Sequence, residues 1–377
     1  MTKILLYSIH FPRFFSFARA NCQIPRTGAS GYIGGDLLYL IAKRHPEYGV
    51  TALVRNDTHI ETINQVLNNV QVVQGTLDDE DILEREATEA DIVLTSSSHV
   101  KSVQSIHRGL LGKLDRGEKL PYWVQMSGGA AVVSKEVANR NWEPGTGSDH
   151  IWDDLDGIAS IKSIIRNDPT RAVDNYMMSV AQSSSYIKTA VIYPPIIYGS
   201  GRGPVNQRSV QVPDLVEASL KRGRAFRLGP GLNRWGNIHI RDLSEMILRL
   251  IEKAVQRHTD NNVWGQDGIY LTGVGEVAAA AFNLGLLPDA SVEVMKEDQF
   301  NRLLSHHADF PGTILYGTNS RGGSNRARKY LDWIPTHHSL EEDIVETVTR
   351  EGVRLGLIGA ESLDYILIGQ LVANCLD

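Results

Sequence analysis

Cysteine is almost absent from this sequence of 377 residues, which contains only Cys22 and Cys375. Two cysteines are too few for a disulfide framework or a cysteine-rich zinc site, and they fit a reducing compartment. Apolar runs of the length that spans a bilayer are also missing. Basic runs are short, and the net charge is -6 with a pI of about 6.1. We therefore expect neither a nucleic acid nor a membrane as a partner.

Metal-ligand spacing is missing as well. The two histidine pairs, His306–His307 and His337–His338, are adjacent in sequence and have no histidine partner four residues away. Helical metal sites present their ligands at positions i and i+4, which lie on one face. We therefore predict no metal site.

Acidic residues are missing from the first 35 residues, which do carry Lys3 and three arginines. This composition suits a mitochondrial transit peptide. An alternative follows from MTKILL, which is a good strand and would run directly into the glycine-rich TGASGYIGG if residues 7–26 were an insertion. We favour the insertion and a cytoplasmic location, with mitochondria as the alternative. Residues 7–26 could equally be retained non-coding sequence of the gene.

Beyond TGASGYIGG, short β-branched runs alternate with amphipathic helical runs, which is typical of a parallel sheet covered on both faces. We predict an α/β fold with a doubly wound parallel Rossmann sheet and a smaller C-terminal substrate-binding region. The predicted boundaries are 1–194 for the NAD(P)-binding domain and 195–377 for the substrate-binding region. Residues 237–275 are expected to return to the Rossmann core.

The glycines of TGASGYIGG have the spacing GxxGxxG at Gly28, Gly31 and Gly34. Glycine allows a tight turn and a close approach to a pyrophosphate, and the following helix offers free N–H groups at its N-terminus. A tight turn that only packs a helix on a sheet is the alternative. The strand and helix alternation downstream favours cofactor binding.

TGASGYIGG, IYPPIIYGSGRGP and NRWGNIHIRDLSEM together resemble motifs of the extended or atypical short-chain dehydrogenase/reductases, the NAD-dependent epimerase/dehydratase group. The sequence is most similar to fungal oxidoreductase-like members. The resemblance implies a seven-stranded Rossmann core, a smaller C-terminal region and cofactor contacts at the strand ends. The cofactor-binding residues that it predicts are Gly28, Ser30, Gly31, Tyr32, Ile33, Gly34, Arg55, Thr76, Leu77, Ser96, Ser97 and Pro194.

The end of the second strand favours NADP(H). NAD-binding members carry an acid there, which accepts hydrogen bonds from the ribose hydroxyls, whereas this chain has Arg55. A guanidinium would pair with the 2′-phosphate, and such a charge-assisted bond contributes on the order of 1.5 to 3 kcal/mol. A solvated surface arginine is the alternative, and the nearby Asp57 keeps NAD(H) open.

Two further cofactor positions differ from the family pattern. After the third strand, Thr76 and Leu77 stand where the family has Asp and Leu, and a threonine hydroxyl could still meet the adenine amino group. After the fourth strand, Ser96 and Ser97 match the size of the family's small-residue turn beneath the pyrophosphate.

The catalytic Tyr-x-x-x-Lys pair of the family is missing from the helix TRAVDNYMMSVAQ. Ser127 matches the family's serine after the fifth strand, although it could equally satisfy local backbone. The best alignment puts Arg171 and Asn175 in place of the pair, and Tyr176 points to another face. We list Ser127, Asn175 and Tyr176 as candidate catalytic residues. Because acid–base help is typically worth about 10²- to 10⁴-fold, we expect impaired or different alcohol and ketone chemistry.

We therefore predict an NAD(P)(H)-dependent oxidoreductase or epimerase/dehydratase-like enzyme that acts on a small organic substrate. The alternative is a non-catalytic NADP(H)-binding regulator resembling NmrA. Assembly into a homodimer is a further alternative that the sequence leaves open. Arg202, Arg208 and Arg234 either receive an anionic substrate or brace loops, and Asp242 is expected to cap a helix.

Overall fold

The computed structural model describes residues 3–6, 28–278, 289–304 and 311–362. The predicted insertion at 7–26 and both cysteines therefore lie outside the described residues. Within the described parts, no helix combines the length and the apolarity that crossing a bilayer requires.

The strands of the described residues are β1 (Lys3–Leu6), β2 (Gly49–Val54), β3 (Val70–Gln74), β4 (Ile92–Thr95), β5 (Tyr122–Met126), β6 (Trp152–Asp153), β7 (Lys188–Tyr193), β8 (Ile196–Tyr198), β9 (Arg224–Leu228), β10 (Arg234–His239), β11 (Ile269–Leu271), β12 (Gly275–Ala278), β13 (Asp289–Met295) and β14 (Gly322–Gly323).

The helices of these parts of the chain are α1 (Tyr32–Arg44), α2 (Asp57–Val66), α3 (Glu80–Glu89), α4 (Val100–Asp115), α5 (Ser134–Val137), α6 (Ile158–Arg166), α7 (Ala172–Ser183), α8 (Gln211–Arg222), α9 (Ile240–Val255), α10 (Glu297–Leu303), α11 (Gly312–Gly317), α12 (Asn325–Tyr330) and α13 (Leu340–Arg354).

Seven parallel strands form the central sheet in the order β11-β7-β5-β4-β1-β2-β3. Residues Lys3–Leu6 of the predicted strand MTKILL form β1, an interior strand, where Ile4 pairs with Val50 of β2 and Ile92 of β4. Chain order reverses between β1 and β4, which is where open α/β sheets bind ligands beyond the carboxyl ends of their strands. The predicted α/β Rossmann fold is confirmed.

The core has two apolar layers because side chains alternate across a strand. Ile4 and Leu6 of β1 belong to the layer that α1, α2 and α9 cover, and Leu5 belongs to the layer under α3, α4, α6 and α7. Burial on both faces explains why the strands are nearly continuous runs of apolar residues.

Smaller sheets lie outside this core. Strand β10 pairs in parallel with β8 and in antiparallel with β12. Strand β13 pairs with β9, and β14 pairs with β6. Strand β8 follows β7 after two residues, so the sheet of β8, β10 and β12 starts at the carboxyl end of β7, on the side where a substrate would approach a Rossmann sheet.

A buried ion pair attaches α1 to the loop after β8. Asp36 is fully buried, and its carboxylate accepts hydrogen bonds from Nε, Nη2 and the backbone N–H of Arg202 at 2.9, 2.7 and 2.8 Å. The Ser244 hydroxyl of α9 donates a fourth bond at 2.6 Å. Burial alone would raise the pKa of Asp36. The hydrogen bonds from Arg202 and Ser244, together with the positive charge of Arg202, outweigh burial and hold that pKa below its usual value.

Arg208 also braces structure, since its guanidinium binds Asp214 of α8 at 2.8 Å and Glu351 of α13 at 2.7 Å. Among the described residues, the Arg234 guanidinium pairs with the exposed Asp149 at 3.9 Å.

Another buried carboxyl group lies at the far edge of the sheet. Asp154 follows β6 and accepts backbone N–H bonds from Leu271 of β11 at 3.0 Å and from Arg326 of α12 at 2.9 Å. Burial raises the pKa of Asp154 to about 7, although these bonds and the charge of Arg326 oppose the rise.

We expect Asp36→Ala to lower the free energy of unfolding by about 3 kcal/mol, because it leaves the Arg202 guanidinium half-buried without its partner. Urea denaturation followed by circular dichroism measures the change. Glu61→Ala on α2 is the control, since Glu61 is exposed and should change stability by less than about 0.5 kcal/mol. Equal stability of the two variants would contradict the prediction.

The raised pKa of Asp154 predicts a pH-dependent difference in stability between the wild-type protein and Asp154→Asn. The neutral carboxyl stabilises the folded state below the unfolded pKa of about 4, and this contribution is lost as the pH rises through about 7. The wild-type free energy of unfolding, minus that of the variant, should fall by up to roughly 4 kcal/mol over that window. Urea denaturation at several pH values tests this, and a constant difference would contradict it.

Candidate cofactor and active site

The glycine turn leads directly into α1. Gly31 is the N-cap residue, its backbone N–H bonds Gly28 O at 3.0 Å, and no side chain caps the helix. A Cβ on Gly34 would lie 2.0 Å from Gly28 O, so the turn requires glycine there. The first-turn N–H groups of a helix have no partner inside it, and its N-terminus favours an anion. The turn therefore fits a dinucleotide pyrophosphate.

The other predicted residues of this turn differ in their surroundings. Ser30 is buried, and Ile33 is half-buried against the core layer under α1. Tyr32 is buried, and its hydroxyl donates to the carbonyl oxygens of Tyr198 and Gly199 at 3.0 and 2.6 Å. The Tyr32 side chain thus fastens α1 to the end of β8, which leaves its backbone as the part that could bind a cofactor.

Arg55 follows β2 and is exposed. It forms no ion pair within the described residues. Asn56 caps α2 by accepting the Thr58 N–H at 2.9 Å, and Asp57 accepts a bond from Gln74 Nε2 at 2.6 Å. The acid that kept NAD(H) open is therefore engaged with β3, while the Arg55 guanidinium is available to a phosphate.

The turns after β3 and β4 are held by their own hydrogen bonds. Thr76 donates from N and Oγ1 to Asp79 at 2.6 and 2.8 Å, and Leu77 is half-buried against the second apolar layer. Ser97 is buried and accepts the His99 N–H at 2.9 Å at the start of α4, and Ser96 is half-buried beside it. The Thr76 hydroxyl is committed to Asp79, so the adenine contact predicted for it would require sharing that oxygen.

A buried carboxyl group lies behind Ser127. Ser127 follows β5, its backbone N–H bonds Ile192 O at 2.8 Å, and its Oγ donates to Asp174 Oδ2 of α7 at 3.1 Å. Burial raises the pKa of Asp174, and the charge of Arg171 and the bond from Ser127 oppose this rise in part. Tyr193 at the end of β7 is also buried, and burial and the charge of Asp174 raise its pKa. The structure thus brings Asp174 to Ser127.

The other two candidate catalytic residues lie elsewhere. Asn175 Nδ2 donates to the carbonyl oxygens of Ile165 and Asp168 at 3.0 and 3.2 Å, which braces the turn between α6 and α7. The Tyr176 hydroxyl contacts His107 Nδ1 of α4 at 2.8 Å. Neither side chain hydrogen-bonds Ser127 among the described contacts. Asp174 directly precedes Asn175, so an acid in this helix was the available signal, but the sequence did not show which face meets β5.

Pro194 follows β7 and contacts the segment after β5 that contains Ser127. Its carbonyl oxygen accepts the Gly129 N–H at 2.7 Å, and the Ser320 hydroxyl donates to Gly129 O at 2.8 Å. The segments after β5 and β7 and the segment before β14 therefore meet here. No motif in the sequence pointed to Ser320.

Three histidines gather where α9 begins. The His239 ring stacks on His337 at 4.6 Å between centroids and contacts His338 edge-on at 4.9 Å. The potential metal-ligand atoms of His239, His338 and Asp343 lie within 4.8 Å of one another, which is close enough for the three side chains to bind one metal ion.

The hydrogen bonds of His239 and His338 are not those of metal ligands. His239 Nδ1 accepts the Arg241 N–H at 3.2 Å, and His338 Nε2 contacts Asp343 Oδ1 at 3.1 Å. Burial, with smaller effects from the neighbouring histidines, lowers the pKa of His239 to about 3, so its ring is neutral. A neutral ring that accepts at Nδ1 carries its proton on Nε2 and offers no second lone pair. The cluster instead fastens α13 to the start of α9.

Helix α9 is capped differently from the prediction. His239, not Asp242, is the N-cap residue, and the Asp242 carboxylate accepts the Thr336 N–H at 2.9 Å and the His337 N–H at 3.2 Å. The sequence showed an acid near the helix start but not the distant segment that it binds.

Comparison with known proteins identifies an NAD(P)H-binding region and relatives that span nearly the whole chain. Residues 28–120 match the NAD(P)H-binding family. The oxidase ucsJ from Acremonium sp. is 31% identical over 353 residues, which cover 89% of this chain and 99% of that protein. An uncharacterised protein from Saccharomyces cerevisiae is 24% identical over an alignment that covers 84% of this chain and 96% of that protein.

Solved structures share the fold. The dTDP-glucose 4,6-dehydratase from Bacillus anthracis in complex with NAD has a TM-score of 0.58 at 14% identity, covering 94% of this chain and 97% of its own. The UDP-glucose 4-epimerase from Thermotoga maritima with UDP-glucose has a TM-score of 0.54 at 17% identity, covering 95% and 100%. The chain therefore has the fold of these epimerase and dehydratase structures, and it belongs to the family of the oxidase ucsJ, with an NAD(P)H-binding region at residues 28–120.

Proposed function

We propose that this protein is an NADP(H)-preferring oxidoreductase that acts on a small organic substrate beside Ser127. The observation that carries the proposal is the position of two features at the carboxyl ends of strands in one parallel sheet. The glycine turn opens α1 next to the reversal of strand order, and the Ser127 hydroxyl follows β5, two places from β1. This arrangement puts a hydride carrier and a polar substrate contact in one cleft.

Each end of the cleft would hold one part of the cofactor. The N-terminus of α1 binds the pyrophosphate through backbone N–H groups, and Arg55 pairs with the 2′-phosphate. Leu77 would contact the adenosine, and Ser96 and Ser97 after β4 would lie beneath the pyrophosphate. When bound, the nicotinamide ring supplies the hydride-transfer chemistry.

Ser127 is the group that would meet the substrate. Its backbone is fixed by the bond to Ile192, so the hydroxyl has a defined position at the end of β5. A hydroxyl both donates and accepts, which lets Ser127 orient either a carbonyl or an alcohol oxygen. Buried Pro194 excludes water from one side of this position.

Relatives support an enzyme over a non-catalytic regulator. The relative that covers nearly the whole chain is named an oxidase, and the solved structures of similar fold include a dehydratase and an epimerase. The buried acid behind Ser127 also favours chemistry, because such groups occur where a protein must control a proton.

We expect Arg55→Ala to weaken NADPH binding about tenfold or more and to leave NADH binding unchanged, because the guanidinium meets only the 2′-phosphate. Isothermal titration calorimetry with each cofactor measures this. Arg85→Ala, which removes another exposed arginine of the same domain, is the control and should change neither affinity. Equal losses for both cofactors, or no loss for NADPH, would contradict the preference.

Turnover tests the proposed activity directly. We expect the wild-type protein to oxidise NADPH in the presence of some members of a panel of small aldehydes, ketones and enals. Ser127→Ala should lower kcat by about tenfold or more while the cofactor Kd stays the same, because the hydroxyl acts on the substrate. Tight cofactor binding without turnover, in either reaction direction, would instead indicate a regulator.

A further inference from the structure

The buried acid beside Ser127 occupies the place where a catalytic side chain would be useful. Asp174 lies on the face of α7 that meets the ends of β5 and β7, and only 4% of its surface is exposed. Its Oδ2 accepts the Ser127 hydroxyl bond at 3.1 Å. The carboxyl group is thus one hydrogen bond away from the hydroxyl that would meet the substrate.

The charged and titratable groups around Asp174 come from three segments. Arg171 at the N-cap of α7 favours the ionised carboxylate, while Asp168 in the preceding turn opposes it. Tyr193 of β7 adds a buried hydroxyl beside the carboxyl group. Burial raises the pKa of Asp174 above its ordinary range, which moves the carboxyl toward the pH at which it can exchange a proton.

We infer that Asp174 holds the reaction proton in place of the absent Tyr-x-x-x-Lys pair and exchanges it with the substrate oxygen through Ser127. This inference rests on the proposed function and names its substrate class as a secondary or primary alcohol and the matching carbonyl compound. Ser127 is the catalytic residue that touches the substrate, and Asp174 is a positioning residue that acts through it.

The proton path balances in both directions. In oxidation, the substrate hydroxyl gives its proton to Ser127 Oγ, Ser127 gives its own proton to the Asp174 carboxylate, and the carbon loses a hydride to NADP⁺. The products are the carbonyl compound, NADPH and a protonated Asp174, which releases its proton to water. Reduction reverses every step, so the hydride adds to the carbonyl carbon while the Asp174 proton reaches the oxygen through Ser127.

The opposite pH dependence of the two directions tests the inference. Alcohol oxidation requires ionised Asp174, so its rate should rise with pH, and carbonyl reduction requires the protonated acid, so its rate should fall. Asp174→Asn keeps the size and an acceptor oxygen but cannot ionise. We expect it to lower kcat about 10²- to 10⁴-fold and to remove both pH dependences.

Steady-state rates from about pH 5 to about pH 9, with a substrate from the carbonyl and alcohol panels, give these profiles. Calorimetry with NADPH supplies a second readout, and Asp174→Asn should bind the cofactor within about twofold of the wild-type protein. Asp174→Glu retains an ionisable group and should keep a pH-dependent rate. Asp115→Asn, at the exposed end of α4, is the control and should behave as the wild-type protein.

Ser127→Ala provides an independent variant if Asp174→Asn fails to fold. It interrupts the same proton path without touching the buried carboxyl group, and it should also remove the pH dependence. Wild-type-like rates and profiles in Asp174→Asn, or an unchanged profile in Ser127→Ala, would overturn the inference alone. A wild-type protein that binds NADPH but turns over no carbonyl or alcohol would overturn the proposed function together with it.

Discussion

Asp36 and Arg202 form the ion pair on which the geometry of the cleft depends. Helix α1 carries the glycine turn at its N-terminus. The buried Asp36 carboxylate of this helix accepts hydrogen bonds from Arg202 in the loop after β8 and from the Ser244 hydroxyl of α9. A buried charge of this kind is costly unless every one of its lone pairs is used, so the three segments are held in one arrangement. The Tyr32 hydroxyl adds a second attachment between α1 and the same loop. The helix that begins at the glycine turn is thereby tied to the loop after β8.

The substrate side depends on a second buried carboxyl group with a different environment. Asp36 is surrounded by donors and stays ionised, whereas Asp174 has few donors and a raised pKa. Burial acts on both groups in the same direction, and the number of hydrogen bonds to the carboxylate decides the outcome. One acid therefore has a structural role, and the other retains the capacity to exchange a proton. The acid beside Ser127 is therefore the one whose pKa is shifted toward neutral pH.

Much of the Rossmann core could be predicted from the sequence, because each strand and helix is a local pattern. MTKILL was recognisable as the first strand despite the residues that separate it from Gly28, since strand propensity and apolar content are properties of the segment itself. The glycine turn and Arg55 are predicted as cofactor contacts from their position next to strands. Contacts between distant segments could not be found this way. The sequence predicts Asn175 as a catalytic candidate and not Asp174, because the motif alignment does not fix the rotation of α7 against β5, which brings Asp174 to Ser127.

The sequence by itself determined the fold class and the spacing of the glycine turn, because these are matters of composition and spacing along the chain. Only the tertiary structure decided which polar groups share a buried site. It joined Ser127 with Asp174 and Asp36 with Arg202, and on the surface it paired Asp57 with Gln74. The physical reason is that desolvation and hydrogen bonding set the charge and role of a side chain. Both depend on neighbours that the chain brings together only when it folds.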